Sequence, residues 1–383
     1  MSRKISIAAV GLLVAVSAWG RDEYTRSFDK TVSLHPGERV SIEHSFGSIS
    51  VKTHAGPEVV IHADIKVSAA DGERAKAVAD TIEILVEPGA SQLEIRTRYP
   101  NHGSGWPHNA SYMVRCELTI PETAPLSVRN SFGSVSVIGL KANSDITSSH
   151  GSIEFRDGRG TQRLETSFAS VKVANNTGDV EIDGSYGTVS AEDINGTLNI
   201  RNRFATVTAE RVSKSVSIHS GNGSVSLSNV GGDADVRTSF ATVQASNING
   251  PLRVENSYGA VRASGTRGAD VTNSFASVML FQIAGPVRVT NQNGAVEVTS
   301  AVHGACQPII VRTSFSTVRV GLPPDSSYRV TARTSFAHIR TDFPLTVSGS
   351  LSSDSVSGVI GNGACEMTLT DSYGAIEILK AGS

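Results

Sequence analysis

Cysteine is nearly absent: Cys116, Cys306 and Cys365 are the three thiols of a 383-residue chain. A disulfide-built scaffold is excluded, and at least one thiol has no intrachain partner. Neither sign of charge dominates, since 34 Lys and Arg stand against 36 Asp and Glu, a formal net charge of -2. This balance excludes a strongly basic nucleic-acid binder and an acidic solvating tail. Aromatic residues make up 5% of the chain, with 2 Trp and 4 Met. Beyond the first twenty residues no apolar stretch is long enough to span a bilayer. What is abundant is Val, Ser, Thr, Asn and Gly, the last at 36 residues. That mixture favours strands with many turns over helices.

The first twenty residues have the layout of a secretory signal. Arg3 and Lys4 precede an apolar run, Ile5 to Trp19, with small residues at Ser17, Ala18 and Gly20. The run is short for a membrane span, and no Cys is placed to carry a lipid anchor. Residues 1–20 are therefore expected to be removed on export, leaving a mature chain that starts near Arg21. The expected location is the periplasm, the extracellular space or the cell surface, with no membrane span after signal removal.

The rest is governed by a repeat. Asn130-Ser131-Phe132-Gly133-Ser134-Val135 is echoed at Thr166-Ser167-Phe168-Ala169-Ser170-Val171 and at Gly184-Ser185-Tyr186-Gly187-Thr188-Val189. The aromatic or its substitute falls at 132, 150, 168, 186, 204, 222, 240 and 258, a constant step of 18. The register continues at 275 and 293, slips to 315 and 336, and returns at 373. Three residues after each aromatic lies an aliphatic column running from Val135 and Ile153 through Val171, Val189, Val207, Val225 and Val243. A second column holds Ile146, Leu164, Ile182, Ile200, Ile218, Val236 and Val254. Apolar residues spaced by two mark strands with one face inward. Asp157, Asn175, Asp193, Asn229 and Asn247 precede turn glycines, as expected of residues that tolerate left-handed backbone.

One such unit cannot bury its inner face, but a stack of them builds a continuous core. The fold expected is all-β: a parallel β-solenoid (β-helix) of 18-residue repeats behind an N-terminal β-rich capping region with one short helix. The division reads as signal 1–20, capping region 21–125 and solenoid 126–383. Within the solenoid, 130–300 is regular, 301–372 irregular and 373–380 a final rung. Phe-bearing units alternate with His150, Tyr186, Asn222, Tyr258 and Asn293 units, so a 36-residue coil stays open beside the favoured 18. In the capping region, Ser33–Ser45, Glu58–Val67, Ile82–Val86, Gln92–Arg98 and Tyr112–Ile120 read as strands. Asp71 to Thr81 reads as a helix with Ala75, Val78, Ala79 and Ile82 on one stripe.

Several short motifs together resemble a known family. They are Ser45-Phe46-Gly47-Ser48-Ile49, the helical insertion, and Leu118-Thr119-Ile120-Pro121 leading into Leu126-Ser127-Val128. To these are added the Gly-x-Val/Ile rungs, Gly358 to Gly363, and Ser372-Tyr373-Gly374-Ala375-Ile376. In this order they look like the bacterial DUF4097 adhesin-like family over roughly residues 30–380. The resemblance implies a β-solenoid of the cell envelope and brings no catalytic residues with it.

Candidate chemistry is sparse. Parallel β-helices host polysaccharide lyases and hydrolases, whose sites need clustered carboxylates. The nearest equivalent is the column Asp157, Asn175, Asp193, Arg211, Asn229 and Asn247, and its place before turn glycines explains it as turn chemistry. A calcium roll would need a repeated Asp that is missing. His102 and His108, with Tyr99 and Trp106, lie in one loop. No Cys, Asp or Glu nearby completes a metal set, so the loop is a speculative recognition patch. Cys306 and Cys365 are a possible disulfide in an oxidising compartment, and Cys116 is expected to pack in a strand. No nucleophile motif, phosphate loop or cofactor motif occurs, and no cofactor or metal is expected. The function read from the sequence is an exported, non-enzymatic scaffold or adhesin-like binding protein, monomeric, with an unknown envelope protein or glycan as partner and no nucleic acid. A carbohydrate-active β-helix enzyme and an end-to-end polymerising solenoid are the alternatives.

Overall fold

The computed structural model describes residues 22–100, 110–301, 307–347, 352 and 354–381. Each coil carries one strand on a first face and one on a second. The strand Ser144–Ser148 lies parallel between two first-face strands, Ser144 opposite both Leu126 and Gln162. On the second face Ile153 is opposite Val135 and Val171. Partners differ by 18 residues, so the protein is a parallel β-solenoid with 18-residue coils and the 36-residue coil is excluded. Val171, Val189, Val207, Val225 and Val243 stack inward at 0–2% exposure.

The backbone supplies a feature that two-residue alternation does not. Asp157, Asn175, Asp193, Arg211, Asn229 and Asn247 all have φ between 54 and 57°. A left-handed residue at this point bends the second-face strand and resets its alternation. Phe155 and Gly158 are consequently both buried, three positions apart. The reset creates a further inward column that includes Asn176, Ile194, Val212, Val230 and Ile248.

The 36-residue super-period has a packing origin. A Cβ on Gly187 would lie 1.7 Å from the Ala169 carbonyl oxygen, and one on Gly259 would lie 1.8 Å from that of Ala241. Alternate rungs thus approach the carbonyl of the rung before too closely for any side chain. The rungs between them have room for alanine.

The N-terminal elements are β1 (Asp22–Ser33), β2 (Arg39–Glu43), β3 (Ile49–His54), β4 (Glu58–Ala69), α1 (Gly72–Asp80), β5 (Glu83–Pro88), β6 (Gln92–Arg98) and β7 (Ser111–Pro121). They are followed by β8 (Leu126–Asn130) and β9 (Val135–Ile138). β2 and β3 pair in parallel with β8 and β9, placing Val40 opposite Leu126 and Ile49 opposite Val135. They form a coil of the same stack, and β6 and β7 lie in parallel on its other side. Beyond them pairing becomes antiparallel: β5 on β6, β4 on β7, and β1 on β4. Helix α1 begins at Asp71, whose carboxylate accepts from the Arg74 N–H at 2.8 Å, and it buries Ala75, Val78 and Ala79. β1 turns Tyr24, Phe28 and Val32 toward the core, while its Asp22, Glu23, Asp29 and Lys30 give the outermost strand a charged character that opposes edge pairing.

At the other end the chain order and the spatial order differ. The strands Ile309–Arg312 and Val318–Leu322 pair with Cys365–Thr370 and Ile376–Lys380. Tyr328–Arg333 lies on the far side of Cys365–Thr370 and is met by antiparallel Ser355–Ile360. The last strands of the sequence are therefore inserted inside the stack.

Candidate binding edge

The corner between the two faces is shaped by a buried polar column, and that corner projects the aromatic residues. Asn256 donates from Nδ2 to the Gly259 carbonyl at 2.7 Å and to the Ala241 carbonyl of the preceding rung at 2.9 Å. Asn291 does the same with Gly294 and Ala276, both at 2.9 Å, and Asn130 with Gly133 at 2.7 Å and Gly47 at 3.1 Å. One amide thus ties two successive corners together and satisfies carbonyls that the turn removes from the strand ladder. The corner it holds points the residue two positions on toward solvent.

Those residues form a ladder of stacked rings. Phe46, Phe132, His150, Phe168, Tyr186 and Phe204 follow one another with centroids 4.6–5.3 Å apart and planes within 16° of parallel. Phe240, Tyr258 and Phe275 form a second run at 4.8 and 4.9 Å. Phe315, Tyr373 and Phe336 form a third, Tyr373 lying 4.8 Å from each of the others. The breaks fall at Asn222 and Asn293. Phe168 is 56% exposed, Phe240 58% and Phe336 73%. At its N-terminal end the ladder meets Tyr99 and Tyr112, which contact Phe46 edge-on.

Beside the first break, on the outer side of the first face, runs a groove of about 950 Å³. Its arginines form ion pairs both between rungs and within one. Arg201 reaches Glu181 at 2.8 Å and Asp183 at 3.4 Å; Arg237 reaches Asp235 at 3.2 Å and Glu255 at 3.5 Å. Arg237 also donates to His219 Nε2 at 3.1 Å. A guanidinium has no acceptor, so this contact makes Nε2 the acceptor.

Only part of the residues singled out from the sequence falls within the described residues. His102, Trp106 and His108 lie outside the described residues, as does Cys306, so the proposed loop and the Cys306–Cys365 pair are not described. Tyr99 turns inward: its hydroxyl accepts from the Phe46 N–H at 3.1 Å and lies 3.2 Å from His44 Nδ1. Burial pushes its ionisation well above the ordinary tyrosine range. Cys365 is half-buried in the strand Cys365–Thr370. Cys116 is buried in β7 without a disulfide, and burial pushes its thiol up to about 12. The Asp157 column occupies the left-handed corner and bonds along itself, with Asn175 donating to Asp157 at 3.0 Å and Arg211 to Asp193 at 2.6 Å. The Arg211 contact holds the Asp193 carboxyl below the usual carboxylate range. Among the described residues no cluster of three His, Cys, Asp or Glu is placed to hold a metal ion. Sequence reasoning located every ring of the ladder but did not recognise the groove. Its columns lack apolar periodicity, and the strand register is needed to bring Arg201, His219 and Arg237 together.

No family model matches the chain, and neither does any curated protein. Among solved structures it is similar to a protein of Clostridium sporogenes provisionally named a cell adhesion protein, with 12% identity, 93% of this chain and 100% of the other covered, and a TM-score of 0.19. It is also similar to a provisionally named adhesin of Bacteroides fragilis, with 9% identity, 92% and 97% covered, and a TM-score of 0.22. At such scores the likeness carries no weight, and the fold stands on this chain's own strand pairing.

Proposed function

We propose that the protein is an exported, non-enzymatic β-solenoid of the cell envelope, an adhesin-like binding protein or scaffold of the DUF4097 type, whose aromatic edge engages a glycan or an envelope protein. One observation carries this reading: three runs of stacked aromatic rings follow one edge of the stack with their edges in solvent. Soluble proteins rarely expose contiguous apolar surface of this extent unless something binds it. Ring–ring stacking would be equally available to a covered ladder. Asp183 and Glu255 of the groove and Asp193 of the left-handed corner are engaged by arginines, which supports binding over acid–base catalysis. Antiparallel strands at both ends of the stack support a monomer over an end-to-end polymer.

The test compares the parent protein with the Phe168→Ala/Tyr186→Ala double variant on an array of envelope polysaccharides and in pull-downs from envelope extracts. The parent should retain a defined glycan or protein that the folded double variant loses. Equal retention would make the ladder purely structural. Release of oligosaccharides from any captured polysaccharide would overturn the non-enzymatic reading. N-terminal sequencing of the exported chain should begin near Arg21, and an intact Met1 in the cytoplasm would remove the envelope assignment.

A further inference from the structure

The break at Asn222 has features that the break at Asn293 does not. In the strand register Asn222 lies opposite Phe204 on one side and Phe240 on the other. Two rungs separate those rings by about 10 Å, the space of one missing ring in a stack spaced at 4.6–5.3 Å. Phe204 has Tyr186 on its other face and Phe240 has Tyr258, so each turns one face to the break. Here the corner itself changes: Val216–Val230 and Ala234–Ile248 run through it as continuous strands. Ser220, which lines the groove and is 5% exposed, is left with a buried Oγ that has no hydrogen-bond partner among the described residues. Its counterparts Asn202, Asn256 and Asn291 each bond carbonyls.

Charge distinguishes this place as well. Arg203, which precedes Phe204 and lines the groove, has no carboxylate partner among the described residues. Arg201 stands two residues before it; of the three acids that line the groove, Asp183 and Glu255 are paired with Arg201 and Arg237, and Glu165 lies two rungs before Arg201. At Asn293 the residue equivalent to Arg203 is Ser274 on one side and Ser314 on the other. The first break thus combines two facing aromatic surfaces, an unsatisfied hydroxyl and an unpaired guanidinium.

We propose that this break is a subsite for an acidic sugar unit, a uronic-acid residue of a polysaccharide. The proposal rests on the reading of the edge as a binding surface and names its ligand class. The C–H faces of a pyranose pack between the negatively polarised faces of Phe204 and Phe240. Its carboxylate takes the fork of Arg203 in a bidentate pair. A neutral sugar leaves Arg203 unpaired.

The test is calorimetric titration of the mature protein with tri-galacturonate, with its carboxyl-reduced counterpart and with a trinucleotide. Tri-galacturonate should bind at least tenfold tighter than the reduced form. Asn222→Phe, which fills the break with the missing ring, and Arg203→Gln should each cost tenfold or more while leaving the melting temperature at or above that of the parent. Asn293→Phe should leave binding unchanged. Absence of tri-galacturonate binding, or equal binding by Asn222→Phe, overturns the proposal. A neutral glycan that binds the parent and is lost in Phe168→Ala/Tyr186→Ala but kept in Asn222→Phe would preserve the ladder and remove this subsite. Preference for the trinucleotide would also overturn the assignment to a sugar.

Discussion

The ring of Tyr373 lies 4.8 Å from that of Phe315 and within 4° of parallel, although 58 residues separate them in the chain. Phe336, much nearer to Phe315 in sequence, stacks on the opposite face of Tyr373. The rung that closes the sequence is therefore an interior rung. Its two strands supply parallel partners for Ile309–Arg312 and Val318–Leu322 on one side and for Tyr328–Arg333 on the other.

Truncation before Cys365 should accordingly behave as removal of an interior rung. It would uncover Ile309, Val311, Val318 and Val320 together, all at 0–1% exposure, and free two parallel edges at once. The truncated chain should aggregate or lose its cooperative transition, as followed by circular dichroism and light scattering. A truncated monomer that melts within a few degrees of the parent would mean that the rung is peripheral.

Val207 tests the core directly. It is fully buried between Val189 and Val225. Val207→Asp places an unpaired carboxylate in an aliphatic column and should cost several kcal/mol, about 3–5 by the measure of broken buried pairs. Thr208, one residue further, faces outward, so Thr208→Asp should change stability by less than about 0.5 kcal/mol. Similar denaturant midpoints for the two variants would reverse the facing of this strand.

The contrast between these neighbours shows what was legible in the sequence. Aliphatic columns repeat because each inward position is surrounded by its own copies, so the 18-residue step and the inward faces of Val207 and Ile200 follow from pattern alone. The column of Ile194 and Val212 was overlooked, because the left-handed residue before it breaks the two-residue alternation on which the reading depended. The threading of Tyr373 was also hidden: a rung carries the same pattern wherever it inserts, and only pairing reveals its neighbours. In the site, each ring could be found from its place before a small residue, Gly, Ala or, at Phe315, Ser. The isolation of Arg203 could not, since it depends on which acids the register brings near and which it keeps away.

Gly187→Ala examines the origin of the Gly and Ala alternation. The added methyl would meet the Ala169 carbonyl oxygen at 1.7 Å, which requires the two rungs to part. Overpacking of this kind costs about 1–3 kcal/mol. Ala205→Gly, at the equivalent corner of the next rung, removes only a methyl group and should cost under about 1 kcal/mol. Chemical denaturation of both variants decides the matter, and an Ala205→Gly penalty as large as that of Gly187→Ala would remove close approach as the cause.

His44 gives the stack an acid-sensitive point. The imidazole is 2% exposed, with Nδ1 3.0 Å from Thr97 Oγ1 and Nε2 3.0 Å from the Val114 carbonyl. The carbonyl can only accept, so Nε2 carries the proton and Nδ1 accepts from a hydroxyl, an arrangement that suits the neutral ring. Burial lowers its pKa from 6.5 to about 4. Between these values the unfolded chain binds a proton that the folded chain does not, so stability falls as pH is lowered from 6.5 to 4 and levels off below. At 1.36 kcal/mol per unit the full loss is about 3 kcal/mol. Asp179 and Asp193, whose pKa values are lowered from 3.8 by the Thr197 N–H and by Arg211, lose their contributions only at still lower pH. The unfolding free energy of the parent should therefore drop between pH 6.5 and 4, and His44→Gln should flatten that segment while starting from a lower value at pH 7. A slope over this range that survives His44→Gln unchanged would place the acid sensitivity elsewhere in the stack.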